Sequence, residues 1–317
     1  MKINEIYKHC QEHALFYRVS KFKVLYDYLY ARFFYGFCSE DYFTNTPGYA
    51  MKNFQKRDFF SYRKWYKIMA LFNNPNYVYL LDNKVEFLKY FSEYISHSFC
   101  SPKDISFNQF KEYVTKNHAL LVKPINSNQG AGIYRYEPSD NLEEDYHKFI
   151  EKNEFLEEMI IQHTKMNLGA HCVNTVRVYT ILDASGKAHI LKAVLRVGAK
   201  NSIVDNYHAG GVIYPINIDG GFVESYGVSR VYGKPIFFQP ETELLMLGFK
   251  IPNFDILKNK ILHAAEKIPH VRYIGWDVAI TETGIDIIEA NSDADHALFG
   301  VIGLETLFYE RILKYYK

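Results

Sequence analysis

Apolar and aromatic residues recur at intervals of three and four from Lys21 to Phe37 (KFKVLYDYLYARFFYGF) and again from Val85 to Phe99 (VEFLKYFSEYISHSF), the period of helices with one buried face. Pro47-Gly48 and Asn73-Asn74-Pro75 interrupt this texture, so several short helices are expected over the first hundred residues. From His118 the pattern changes. ALLVKPI is a short apolar run that ends at Lys-Pro and opens into the glycine-bearing loop Asn126 to Gly132, as a strand entering a loop would. FLEEMII reads as another strand, and TVRVYTILDASGKAHILKAVLRVG as two strands about an Asp-Ala-Ser-Gly-Lys turn. GGVIYPINIDGGFV repeats that design about Asp219-Gly220-Gly221.

Residues 253–268 return to a helical period, with Asn253 placed as an N-cap and Pro269 just beyond the end. Two strands follow, YIGWDVAIT and GIDIIEANS, about Glu282-Thr283-Gly284, and GLETLFYERILKYYK reads as a terminal helix. Strands in hairpins with helices segregated from them predict an α+β fold and argue against a doubly wound parallel sheet. There is no internal repeat and no low-complexity linker.

At 317 residues the chain can bury a large core and divide into two or three lobes. With 48% hydrophobic and 23% charged residues it is neither disordered nor collagenous. The net charge of +1 hides an asymmetry: residues 1–80 hold 12 Lys/Arg against 6 Asp/Glu, and the remainder is acidic. Cys10, Cys38, Cys100 and Cys172 lie far apart, without the pairing of a zinc site, and are expected to be reduced thiols. No apolar run approaches the roughly 20 residues of a membrane span, and the opening MKINEIYKHCQEH lacks a signal peptide's apolar run, so a cytoplasmic location is expected. Aromatic residues reach 17%, which fits a sugar-stacking or membrane-facing surface, but the joint abundance of Lys, Asn, Ile, Tyr and Phe favours compositional drift.

The most informative chemistry is a carboxylate set: Asp277 in IGWDVAIT, then Glu289 and Asn291 in IIEAN. Two residues apart on one strand, Glu289 and Asn291 share a face, and a hairpin brings them beside Asp277. Three oxygen ligands of this type suit Mg²⁺, whose other positions go to phosphate and water. A second feature is LLVKPINSNQGAGI, where a strand-end lysine and a flexible loop can set an ammonium and backbone N–H groups against a polyphosphate. It matches neither a GxxxxGK[ST] loop nor a GxGxxG turn.

Strand lysine, glycine-bearing loop, acidic hinge and a final Asp277 with Glu289-x-Asn291 resemble the ATP-grasp superfamily in order and spacing, over about residues 80–300. Within it the chain is most similar to the sugar-transfer associated ATP-grasp family, through NTVRVYT, AVLRVG, IVDNYHAGGVIYPI and IGWDVAIT...IIEAN. A weaker likeness to ribosomal-protein glutamate ligases lies between Arg196 and Gly211. The resemblance implies a nucleotide-binding lobe at about 81–165 and a metal and acceptor lobe at about 166–317; the helical, aromatic-rich, basic N-terminal region at 1–80 lies outside it. It implies ATP and Mg²⁺ as cofactors. Lys123 matches the lysine that contacts ATP phosphates and Lys84, in LLDNKVEF, the looser second phosphate lysine; Gln129, Gly130 and Gly132 fall in the covering loop. Glu157, Glu158, Met159 and Ile160 match the hinge that holds adenine and ribose, without indicating which glutamate does which. Arg177 and Arg196 would brace the γ-phosphate, and Asn206 and His208, with Asp205 and Gly210-Gly211, the cleft wall; His208 as a general base competes with a structural histidine. Asp277, Glu289 and Asn291 would hold the metal. Where amino-acid ligases of the superfamily continue Glu-x-Asn with Pro-Gly, this chain runs NSDADHALFG, so their substrates do not transfer.

These expectations lead to a Mg·ATP-dependent carboxylate–amine ligase acting through an acyl phosphate on a cell-surface polysaccharide or its sugar precursor. Its partners would be small-molecule or glycan carboxylates and amines, not nucleic acid. The competing readings are an ATP-grasp kinase and a non-catalytic nucleotide-binding partner of a glycosyltransferase. The N-terminal region, with its densest basic stretch MKNFQKRDFFSYRKWYKIM, is read first as a helical cap, and otherwise as a peripheral contact with the inner membrane surface or an acidic glycan carrier.

Overall fold

In the computed structural model the described residues are 3–126, 132–200, 205, 210–229, 235–296, 298 and 307–316. Two antiparallel sheets organise them, the larger built from the expected hairpins and the smaller joining the strands expected at ALLVKPI and FLEEMII. The smaller sheet has the order β1-β4-β2-β3, from β1 (Phe99–Cys100), β2 (Leu120–Pro124), β3 (Tyr134–Arg135) and β4 (Glu154–Glu158). The larger has the order β10-β9-β5-β6-β7-β8, from β5 (Thr175–Leu182), β6 (Ala188–Val197), β7 (Val212–Asn217), β8 (Phe222–Val223), β9 (Tyr273–Thr281) and β10 (Gly284–Asn291). The β5–β6 turn forms as expected, because the Asp183 carboxylate accepts from the Ser185 and Lys187 amides at 2.9 and 3.0 Å.

Period-two alternation decides what each sheet face meets. In the small sheet Leu120, Val122 and Leu156 pack under α7 (Phe107–Lys116) and α8 (Leu142–Lys152), with Phe110, Val114 and Phe149. Lys123 and Glu157 therefore take the other face. In the large sheet Val176, Val178, Ile274, Trp276 and Val278 share a core with α5 (Tyr79–Asp82), α6 (Lys84–Tyr90) and α9 (Phe254–Lys267). Trp276, fully buried, meets Phe91 edge-on at 5.4 Å and donates its indole N–H to Thr180 Oγ1 at 2.9 Å. The opposite face, with Tyr179, Ile181 and Tyr273, is covered by α4 (Tyr62–Phe72) and α10 (Phe308–Lys314). The chain before α4 gathers its own core: α1 (Ile3–Tyr17), α2 (Lys21–Tyr30), two π-helical turns (Ala31–Tyr35 and Asp41–Asn45) and α3 (Asn53–Asp58) enclose Val24, Tyr28, Phe37, Tyr42 and Phe59.

Two local expectations change. The helix predicted over 85–99 stops at Tyr90 and passes through a 3-10 turn at Ser92–Tyr94, because the Ser96 and His97 amides turn to the Asp286 carboxylate at 3.1 and 3.0 Å. Asn253 does precede α9, but its side chain does not cap it: Asn253 is left-handed (φ 54°), and its amide donates to the Thr281 and Gly284 carbonyls at 2.8 and 3.3 Å, clasping the β9–β10 hairpin.

Candidate active site

The β9–β10 ladder contains a bulge at the decisive place. Ile285 pairs with Ile280 and Ile287 with Val278; an unbroken ladder would continue with Ile288 opposite Asp277 and Glu289 opposite the core residue Trp276. One extra residue shifts the register, so Glu289 pairs with Asp277 and Asn291 with Gly275. Both move to the face of Asp277, away from the apolar core. Gly275 leaves room for the chain beyond β10: a Cβ there would sit 2.5 Å from Ala294 Cβ.

Asp277 is the charge centre of this face. Arg177, its cross-strand neighbour on β5, holds it in a bidentate pair with Nη2 at 2.7 Å from Oδ2, and Arg196 on β6 adds Nη1 at 2.8 Å from Oδ1. Arg196 reaches with its other nitrogen to Asp205, which also accepts from the Thr175 amide at 3.0 Å. Burial alone would raise the Asp277 carboxyl, but the two guanidinium groups hold it well below the usual range. Glu289 goes the other way: burial and the neighbouring Asp277 charge raise its carboxyl. Asn291 Nδ2 donates to Glu289 Oε1 at 3.3 Å. The buried Asp277, the half-buried Glu289 and the Asn291 amide form a hard-oxygen donor set, one of its acids unfavourably charged, that a divalent cation would relieve, and so they fit Mg²⁺.

The small sheet supplies one cation and α6 another. Lys123, buried on β2, pairs with the buried Glu157 on β4. Burial lowers the ammonium of Lys84, at the start of α6, and the charges of Glu289, Lys123 and Glu157 act on it. Its amide donates to the Ile125 carbonyl at the end of β2, at 3.4 Å. Gly132, at φ +79°, lies so close to Pro124 that a Cβ would come within 2.9 Å of its ring.

At the end of β4, Glu157 is buried, whereas Glu158 is half-buried and accepts from Ser98 Oγ at 3.1 Å. The Met159 side chain is exposed, and its amide donates to the Ala119 carbonyl at 2.9 Å; Ile160 is half-buried beside it. Gln129, Gly130, Asn206 and His208 lie outside the described residues.

Two groups escaped the sequence reading. His97, almost fully buried, stands between the sheets with Nδ1 3.0 Å from Asp286 of β10 and Nε2 3.8 Å from Glu157 of β4. Burial opposes its charging, but the two carboxylates prevail and raise it to about 9. Burial works against the Glu157 carboxyl too, yet Lys123 and His97 hold it down at about 2. Lys123, Glu157, His97 and Asp286 thus form a buried chain of alternating charge from one lobe to the other.

The second group is the grip of the N-terminal region on the segment after Asn291. Asn73 Nδ2 donates to the Ser292 carbonyl at 2.7 Å, Trp65 Nε1 to that of Ala294 at 2.8 Å, and Asp41 Oδ1 lies 2.8 Å from His296 Nε2. His296 stacks on Trp65 with ring centroids 5.1 Å apart. Cys38, Asp41 and His296 come within 4.8 Å of one another, but the Cys38 and Tyr62 amides, both at 2.9 Å, and His296 already occupy the Asp41 oxygens, so the cluster reads as a hydrogen-bonded clasp. All four cysteines are free.

A family model described as sugar-transfer associated ATP-grasp matches residues 66–313. The chain belongs to the sugar-transfer associated ATP-grasp family. The motifs from NTVRVYT to IIEAN lie within the matched span of this ATP-grasp protein. No curated protein matches the chain. Among solved structures it is similar to the ATP-grasp ligase PsnB complexed with a minimal precursor, at 15% identity and a TM-score of 0.47, over 77% of this chain and 63% of that one. It is also similar to the L-amino acid ligase from Bacillus licheniformis (13%, TM-score 0.44, over 75% and 48%) and to D-alanyl-alanine synthetase A from Vibrio cholerae O1 biovar eltor str. N16961 (13%, TM-score 0.44, over 75% and 64%). The chain thus spans about three fifths of the length of PsnB.

Proposed function

We propose that this ATP-grasp protein is a Mg²⁺- and ATP-dependent carboxylate–amine ligase that releases ADP and phosphate. The observation that carries the reading is the oxygen set of Asp277, Glu289 and Asn291 beside Arg177 and Arg196, tied through Asp286, His97 and Glu157 to Lys123 on the small sheet. Asp277, Glu289 and Asn291 would hold Mg²⁺, which when bound neutralises phosphate charge and polarises the transferring phosphoryl group. Lys123 would exchange Glu157 for a phosphate oxygen, and His97 would keep Glu157 charge-compensated when it does. The Arg177 and Arg196 guanidinium groups, fixed by Asp277 and Asp205, supply preorganised positive charge where a γ-phosphoryl group passes to the substrate carboxylate. The carboxylate becomes an acyl phosphate, an amine attacks its carbonyl carbon, the C–O bond to phosphate breaks, and the amine proton leaves to solvent.

The family's association with sugar transfer supports sugar acids and polysaccharide precursors as the carboxylates to test first, in the cytoplasm. The test is a calorimetric titration of ATP with and without Mg²⁺, on wild type and on Asp277→Asn and Glu289→Gln. Metal-dependent binding lost in both variants supports the site; absence of nucleotide binding by the wild type refutes it. ADP release with sugar acids and amines, followed by mass spectrometry, then distinguishes a joined product from the phosphorylated product of a kinase.

A further inference from the structure

Helix α2 is apolar on two sides. Val24, Tyr28 and Ala31 face the N-terminal core, while Phe22, Tyr26, Leu29 and Phe33 form a second stripe at spacings of four, three and four that points away from it. These four are 69%, 71%, 40% and 68% exposed, and Phe34 beside them is 68% exposed. Leu15 and Phe16, at the end of α1, are exposed to a similar degree. A helix with one core to serve has no need of this outer stripe, and contiguous exposed aromatic surface marks an interaction site.

The charges around the stripe have one sign. Between Arg18 and Tyr35 the chain carries Arg18, Lys21, Lys23 and Arg32 against a single acid, Asp27. Asp27 is already engaged by the buried Lys56 and by Tyr42 Oη at 2.6 Å. A shallow hollow beside the stripe is lined by Phe22, Lys23, Tyr26, Asp27 and Tyr49. The basic stretch 51–69, by contrast, is largely internal wiring: Arg57 pairs with Asp58, Lys64 donates to the Arg57 and Phe59 carbonyls, and Arg63 to those of Arg32 and Phe33. Arg63 and Lys56 thereby brace the segment that displays the stripe.

We propose that the outer face of α2, continued by Phe33 and Phe34, docks on an anionic lipid bilayer, with the aromatic side chains at the acyl boundary and Arg18, Lys23 and Arg32 at the headgroups. A second copy of the chain is the poorer occupant, since a symmetric pairing along this stripe would set the same four cations against one another. A soluble polyanion would use the cations and leave the stripe in water. The proposal goes beyond the functional reading and is independent of the nucleotide site.

The experiment is co-sedimentation of the full chain with phosphatidylcholine vesicles, with and without phosphatidylglycerol, at low and high salt. Binding to the anionic vesicles at low salt is expected, weakened by salt and on the order of tenfold or more weaker in Lys23→Glu/Arg32→Glu. Phe22→Ser/Phe33→Ser is expected to lose binding while melting and titrating ATP as the wild type does, which separates failure of docking from failure of the nucleotide reading. No pelleting at low salt, equal pelleting with neutral vesicles, or unchanged binding by the serine variant would overturn the proposal. So would a dimer in sedimentation velocity that the serine variant abolishes, which would give the face to a second copy.

Discussion

Asp277→Asn and Glu289→Gln remove the same charge from facing positions on one hairpin, yet the structure assigns them opposite effects on the nucleotide-free protein. Asp277 is the counter-charge of two buried guanidinium groups. Removing one partner of a buried pair costs about 3–5 kcal/mol. Arg196 keeps Asp205 and asparagine keeps one acceptor oxygen, so the lower end, about 3 kcal/mol, is expected. For a chain of this size that is a fall in melting temperature of about 4–5 °C. Glu289 carries a raised carboxyl pKa in the fold, so the stability it lends is present below its unfolded value and lost as pH rises through the folded value. Glutamine mimics the protonated form and keeps an acceptor for Asn291. Glu289→Gln should therefore melt at or above the wild-type temperature at neutral pH, the difference closing in acid. The assay is differential scanning calorimetry in chelator at pH 7. Mg·ATP at a hundredfold excess over its dissociation constant should add about 2.7 kcal/mol to the wild type and nothing to either variant. If Glu289→Gln falls as far as Asp277→Asn, or if Asp277→Asn melts like the wild type, the assignment of charge roles is wrong.

His97 contributes stability below its unfolded pKa that is lost as pH rises through about 9, so the melting gap between wild type and His97→Gln should shrink across pH 6.5–9, as melts in that window would show. Lys123→Met strands the buried Glu157; it should lower stability by about 3 kcal/mol and weaken ATP binding by an order of magnitude or more, measured by calorimetry, with a wild-type affinity excluding the phosphate role. Asp41→Ala releases His296 from the segment after Asn291. It should redden and quench-expose the emission of Trp65, which stacks on His296, while the buried Trp276 is unchanged; an unaltered spectrum in the folded variant would sink the clasp.

Much of the fold around the candidate site was legible because its signals are local. Period-two runs and turn residues mark the hairpins, Glu289 and Asn291 do share a face, and the motif order from Lys123 to Asn291 is linear along the chain. What stayed hidden depends on pairings between distant segments. Asn253 is a good N-cap by composition, but the carbonyls of the β9–β10 turn compete for its amide and win. The helical pattern through His97 yields to Asp286, nearly two hundred residues away, whose carboxylate satisfies the Ser96 and His97 amides. Asp41 and Trp65 carry no motif and acquire their part in the site only because the N-terminal core lies against the segment after β10. The bulge before Glu289 shows the division most clearly. Sequence determined that an acid and an amide two residues apart would face the same way; one unpaired residue in the folded ladder decided that this way was toward Asp277 and not into the core beside Trp276, because side chains on a strand change face with every residue and register is settled only by the partner strand.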